Sequence, residues 1–346
     1  MRRAALAALL VGVVFGGGRT GGPAERGVAA IAPGLEQGVV STPYGGAYEW
    51  QYYATGADRV PESVRAAAAR ITVAVLDTGV DLSAPDLTDK VVGTYDVRTG
   101  RRAAGDGDGH GTFVASLVAG TVDDGVGVSG FGGDARLLVI KVSDGGDVSA
   151  VDVAAGIGYA VAHGAQIVNL SFAGSTPSPV EQRAVEYAAS HGVLVVAAAG
   201  NDALAGDPTE YPAAALSDGL GLSVGASDFA GHRAAFSETG PFVSLAAPGA
   251  CVFGAVAASA PTAHFPRTPL AGPGSYGYAS GTSFAAAEVS GAAALVWAAD
   301  PALSARGVAA VLEQTASGNG TWTPELGYGV IDVAAAVGTA AGRQSR

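Results

Sequence analysis

Five short, almost uninterrupted apolar runs constrain this chain most: ITVAVL (71–76), LLVIKV (137–142), QIVNLS (166–171), VLVVAAA (193–199) and LSVGA (222–226). A strand with one wet face alternates apolar and polar residues, whereas a run that is apolar at nearly every position fits a strand buried on both faces. Between the runs lie stretches with helical spacing, such as DVSAVDVAAGIGYAVAHG and SPVEQRAVEYAASHG, each closing on His-Gly. Strand alternating with helix predicts an α/β fold: a mainly parallel central sheet with helices on both faces. The chain has 346 residues, 49% of them hydrophobic, enough to bury the core of one large domain or two small ones. In such sheets ligands and chemistry sit at the carboxyl ends of the strands, so a polar residue directly after an apolar run outranks one in mid-helix.

The ends of the chain carry a different kind of information. Arg2 and Arg3 precede AALAALLVGVVF, an apolar run too short to span a membrane comfortably, and a Gly-rich stretch follows. That is the pattern of a secretory signal, with an uncleaved N-terminal anchor as the alternative. Ala30 and Ala32 have the spacing of a cleavage site, although Pro33 follows them. Residues 1–35 are therefore taken as signal and linker, 36–340 as the folded domain and 341–346 as a short polar tail. The later apolar runs are broken by Gly, Asp or Pro, so the expectation is a secreted, monomeric protein with no stable membrane association after signal removal. Cys251 is the only cysteine, which excludes an intrachain disulfide and fits a small buried hydrophobe. The net charge of −12 argues against a nucleic-acid partner.

Few polar residues pass the positional test. Asp77 follows VAVL directly and precedes Thr78-Gly79; a turn aspartate is the alternative. His110 sits in GDGDGHGTFVASLVAG, where glycines let the backbone approach closely and a helix begins. Ser283, in ASGTSFAAAEVSG, stands at the start of a helix of small residues, where a serine is commonly a cap. Asn201 follows Gly200 at the end of VVAAAGN, again after a buried strand. A serine whose proton passes to a histidine oriented by a buried carboxylate, with an amide donor for the oxyanion, is a set suited to acyl transfer. The other histidines have structural readings. His163 and His191 each precede a glycine at a helix end, where an imidazole can cap the last carbonyls, and His232 and His264 lie in loops.

The segments AVLDTGVD, GHGTFVASLVAG, VNLSFAG, VVAAAGN, LAAPG and SGTSFAAAEVSG occur in the order, and with roughly the separations, of the subtilisin-like serine proteases. The chain resembles that family from about Glu49 to Val337. The resemblance implies a peptidase domain acting on proteins or peptides through an acyl-enzyme and without a cofactor. Asp77 would orient, His110 would act as base and then acid, Ser283 would attack, and Asn201 would donate to the oxyanion together with the Ser283 N–H. The Asp, His, Ser order along the chain is that of subtilisin. NLSFAG resembles the segment that binds substrate as an added strand, so Ser171, Phe172 and Ala173 would line the cleft, Ala173 standing where glycine is common. Glu210, before Tyr211-Pro212, resembles the floor of the primary specificity pocket; a carboxylate there would favour Lys or Arg, and a glutamate turned to solvent is the alternative.

Some features depart from the family pattern. Ala287 replaces the usual proline of the serine helix, which suggests a helix start shifted enough to weaken activity. Residues 254–278 look like an inserted surface loop. TVDDGVGVSG is shorter than the calcium loop of many relatives, and adjacent Asp123 and Asp124 are more often simply solvated, so no metal is predicted and a structural calcium is unsupported. GDGDGH lacks the closing glutamate of a calcium loop, and no HExxH or paired-cysteine motif exists. The residues between signal and Tyr48 are too few for an inhibitory propeptide domain. A catalytically silent subtilisin-like module that binds extended peptides is the second functional reading.

Overall fold

The computed structural model describes residues 46–122, 127–262, 264–268 and 275–344. The signal and linker readings on residues 1–45, and the pair Asp123 and Asp124, lie outside these described residues. Among the described residues there are nine strands: β1 (Thr72–Asp77), β2 (Val91–Asp96), β3 (Arg136–Lys141), β4 (Ile167–Leu170), β5 (Leu194–Ala198), β6 (Gly221–Ser227), β7 (Leu245–Pro248), β8 (Val252–Ala255) and β9 (Tyr276–Ala279). The helices are α1 (Trp50–Ala54), α2 (Glu62–Ala67), α3 (His110–Ala119), α4 (Ala150–Ala162), α5 (Pro179–Ser190), α6 (Thr282–Ala299), α7 (Ala305–Thr315) and α8 (Val333–Gln344).

Strands β1 to β7 form one sheet in the order β2-β3-β1-β4-β5-β6-β7, parallel at every pairing. The five apolar runs are five of these strands, within a residue or two. Their doubly buried character is explicit in β1, where Val73 and Val75 enter one core and Ala74 and Leu76 the other. Strand order reverses at β1: the chain first builds β2 and β3 on one side, then β4 to β7 on the other. The carboxyl end of β1 is thus a topological switch point, where a crevice opens between diverging connections. Asp77 is its last residue.

Helices α4 and α5 cover the face of Ala74 and Leu76, while α3, α6 and α8 belong to the other core. Ser149 caps α4, accepting from the N–H groups of Val151 at 3.2 Å and Asp152 at 3.4 Å. Ser178 caps α5, whose first residue is Pro179, through the N–H of Glu181 at 3.3 Å. At the other ends, Nδ1 of His163 and of His191 each lies 2.8 Å from the carbonyl oxygen four residues back, on Tyr159 and Tyr187. Gly164 and Gly192 then leave the helices with positive φ.

Helix α6 occupies the centre. All eighteen of its residues are buried, against β1, β4, β5, β6 and β7 on the sheet and against α2, α3, α7 and α8. It is long and apolar enough to cross a membrane, yet it is the core helix of this domain. A helix surrounded on every side needs small residues. At Gly291 a Cβ would come 2.6 Å from the Val118 carbonyl oxygen and 2.8 Å from the Gly132 nitrogen, which are backbone atoms that cannot swing aside. Ala287 lies within α6, which begins at Thr282 without the usual proline.

Two elements differ from the sequence reading. Segment 254–278 is bounded by an antiparallel pair, β8 and β9, and Ala257, Ala260 and Phe265 within it are buried, Phe265 stacking on Phe113 with ring centroids 5.5 Å apart. Its described part is a packed strap instead of a loose surface loop, because its aromatic and alanine side chains find partners on α3. Helix α8 runs to Gln344, so residues 341–344 continue it rather than forming a separate tail.

Gly291→Val should lower unfolding stability by roughly 1–3 kcal/mol, the usual range for overpacking a filled core. Chemical denaturation followed by circular dichroism would measure it.

Candidate active site

The carboxyl end of β1 and the amino end of α3 are joined by a buried polar network. Asp77 Oδ1 lies 2.7 Å from His110 Nδ1 and accepts the Thr78 N–H at 2.8 Å. Both side chains are almost wholly buried, Asp77 at 3% and His110 at 4% exposure. Asp77 is therefore more than a turn residue, and its pairing assigns the Nδ1 side of the imidazole to the carboxylate.

Asp106 fixes this pairing. Its Oδ1 accepts from the Thr78 hydroxyl at 2.9 Å and from the N–H groups of Asp108 at 3.2 Å and Gly109 at 2.8 Å. Its Oδ2 accepts from the Thr112 N–H at 2.8 Å and hydroxyl at 2.6 Å. The N–H of Gly111 in turn donates to the Thr78 hydroxyl at 2.9 Å. One carboxylate thus satisfies orphan donors at the start of α3 while holding the Asp-Thr-Gly turn beside it. The sequence reading weighed GDGDGH only as a calcium loop and missed this role.

Burial alone pushes the His110 imidazole towards its neutral form. The charge and hydrogen bond of Asp77, then the charges of Asp108 and Asp106, outweigh burial and raise its pKa above the ordinary value of 6.5. Asp108 also faces His264, whose Nδ1 lies 3.4 Å from its carboxylate, so the strap carrying His264 packs against the histidine loop.

Ser283 is the second residue of α6, whose cap position is Gly281 with no side-chain cap. The capping reading therefore fails: the Ser283 hydroxyl donates to the Ser171 carbonyl at 3.0 Å, and the Ser171 hydroxyl donates back to the Ser283 carbonyl at 2.7 Å. The adjacent Phe284 ring lies 5.6 Å from the His110 ring, which brings the start of α6 alongside the Asp77 and His110 pair. Asn201 Oδ1 accepts the Thr282 N–H at 2.9 Å and the Thr282 hydroxyl at 3.1 Å. With its oxygen committed to α6, the Asn201 amide NH2 is left as a donor, next to a helix start whose first N–H groups have no intrahelical acceptor.

A residue not singled out from the sequence supports this arrangement. Asn169, fully buried in β4, donates to the Ser171 hydroxyl at 2.8 Å and accepts from the Ser290 hydroxyl at 2.9 Å. An asparagine interrupting the apolar run IVNL was the available signal, since a buried amide must be hydrogen-bonded.

Phe172 and Ala173 are half-buried at the rim, and Gly174 exchanges two 2.9 Å backbone hydrogen bonds with Tyr211. This brings Glu210 to the same end of the sheet. Glu210 is only 3% exposed, which contradicts the alternative of a glutamate turned to solvent. Burial, and then the charge of Asp202, pushes its pKa up to about 7. Gly200 has φ of 121°, and a Cβ there would lie 2.2 Å from Glu210 Oε2, so only glycine serves. Cys251 is buried, and of the remaining histidines His232 is an exposed loop residue.

Comparison with known proteins shows the family. The family model described as the Subtilase family matches residues 68–329. Thermitase from Thermoactinomyces vulgaris is 35% identical over 255 residues, 72% of this chain and 83% of that protein. Subtilisin DY from Bacillus licheniformis is 36% identical over 271 residues, 78% and 91% respectively. The crystal structure of fervidolysin from Fervidobacterium pennivorans, a keratinolytic enzyme related to subtilisin, superposes with a TM-score of 0.76 at 29% identity, covering 89% of this chain and 50% of that one. This chain belongs to the subtilase family. It is a serine-type endopeptidase, and its substrates are proteins or peptides.

Removing one of the charges that hold the His110 proton should be visible directly. Asp108→Asn should lower the His110 pKa, and an NMR titration of the imidazole would report the shift.

Proposed function

We propose that the peptidase activity runs through Ser283 as nucleophile, His110 as general base and then acid, and Asp77 as the orienting carboxylate. The observation that carries this reading is the buried 2.7 Å hydrogen bond between Asp77 and His110 beside the first turn of α6. For attack, the Ser283 hydroxyl leaves the Ser171 carbonyl and passes its proton to His110. The Ser283 oxygen bonds to the peptide carbonyl carbon, the amine departs with the proton from His110, and water releases the acyl group by the reverse assignment of roles. The carbonyl oxygen, as it becomes anionic, receives the free amide of Asn201 and the N–H of Ser283. No cofactor enters these steps, and no calcium is required by them.

An extended peptide would add as a strand along Ser171, Phe172 and Ala173, with the residue before the scissile bond pointing towards Gly200 and Glu210. Glu210 supports a preference for lysine or arginine at that position, because a buried carboxylate gains more from a cation than from an apolar group. The N-terminal sequence supports export.

Treatment with a fluorophosphonate should add one adduct by intact-mass spectrometry, absent in Ser283→Ala; a folded protein that takes no adduct overturns the assignment. Asn201→Ala should lower kcat by roughly 10²–10³, the loss known for one oxyanion donor in subtilisin itself.

A further inference from the structure

The strap between β8 and β9 carries a histidine that the catalytic assignment leaves unused. Its course is anchored by side chains: Arg267 Nη2 donates to the carbonyls of Ala257 at 2.8 Å and Ala260 at 3.0 Å, and the Ala258 N–H donates to Asp81 Oδ2 at 2.8 Å. Between these anchors the strap lies directly on the loop that leads into His110. A Cβ on Gly109 would come 2.5 Å from the Ala260 Cβ, and its φ of 101° favours glycine in any case. This contact holds His264 over Asp108, with Nδ1 at 3.4 Å from the carboxylate.

Asp106 and Asp108 both act on His110, but their charges are met differently. Donors surround the Asp106 carboxylate on both oxygens, whereas the buried Oδ1 of Asp108 accepts no hydrogen bond among the described residues. A buried carboxylate that lacks donors keeps its full field, and an ionisable neighbour that can answer it is favoured in its charged or donating form. Among the described residues, the one ion pair of Asp108 is with His264. The loop on its other side supplies no cation. A Cβ on Gly145 would lie 2.5 Å from Asp108 Oδ2, and the neighbouring Asp144 is taken up by Lys141 and Arg98. His110 also feels Asp108, after Asp77 and ahead of Asp106. One carboxylate thus stands between two imidazoles, one on the strap and one in the catalytic pair.

We propose that His264 is a positioning residue for the reaction: it shares the Asp108 carboxylate with His110, so that the strap governs how strongly that negative charge bears on the catalytic imidazole. This rests on the preceding reading of His110 as the general base and extends it.

The sign follows from the charges. A donor or cation on the strap offsets Asp108 and lets His110 give up its proton more easily. Without it, the carboxylate acts on His110 alone and favours the imidazolium, so a higher pH is needed before the base is free. The two rings are also coupled, since each proton bound on one weakens the hold of Asp108 on the other.

The test is kcat/KM against pH between about 4 and about 9, whose acid limb reports the proton on the base of the free enzyme. Active sites are counted with a fluorophosphonate so that unfolded protein drops out. The limb should move to higher pH by about 0.3–1 unit in His264→Ala, and to lower pH by a similar amount in His264→Lys, whose cation persists across the range. In an Asp108→Asn background the shift from His264→Ala should vanish, because the carboxylate that joins the two rings is gone. A limb unmoved in both His264 variants, or one that moves equally with and without Asp108, overturns the role of His264 and leaves His110 standing as the base. A wild-type profile with no acid limb overturns the reading of His110 itself. If the His264 variants yield no titratable sites, NMR titration of both imidazoles in Ser283→Ala, which cannot digest itself, decides the matter. Each ring should then record the midpoint of the other as a second inflection, and two single-step titrations overturn the proposal.

Discussion

The structure depends on one helix being buried on all sides. Helix α6 can lie against five strands and four helices only because its residues are mostly alanine, glycine and serine, which let the surrounding backbones approach. That packing fixes where its first turn lies. The position of Ser283 is thus set by the whole core and not by the loop that precedes it, and a buried helix start tolerates little of the drift that an exposed nucleophile would suffer.

A second constraint is electrostatic. Asp106 gathers five donors from the Asp-Thr-Gly turn and the start of α3, so that Asp77 and His110 are held by a carboxylate that itself touches neither. The strap between β8 and β9 closes over the same loop: the Ser259 hydroxyl donates to the Asp106 carbonyl at 2.6 Å, and Phe265 rests on Phe113. His110 is thereby kept in a site where burial and three carboxylates oppose each other. The carboxylates outweigh burial and raise its pKa, and Asp77 holds the Nδ1 side of the ring.

Much of this was legible in the residues. The central strands announced themselves as continuous apolar runs, and the helices α4 and α5 by helical spacing and closing His-Gly pairs. Asp77, His110, Asn201 and Ser283 all followed from their places at strand ends and helix starts. The edges were harder to read. Strand β2 is half-exposed, with a register shift between Val91 and Gly93, so it lacks the doubly buried pattern, while β7 is buried but is a short run that ends on Pro248. Phe265 and the strap were missed for a different reason: an Ala-, Pro- and Gly-rich segment resembles a loop until the partner that buries it is known.

By itself, then, the sequence determined the layered α/β architecture and the identity of the groups gathered at one end of the sheet, because periodicity and position along the chain are local properties. Only the tertiary structure decided how those groups are paired and charged. The assignment of Ser283 to the Ser171 carbonyl and the support from Asn169 and Asp106 join residues distant in sequence. Their burial and mutual distance, which set hydrogen bonding and pKa, come into existence only when the chain is folded.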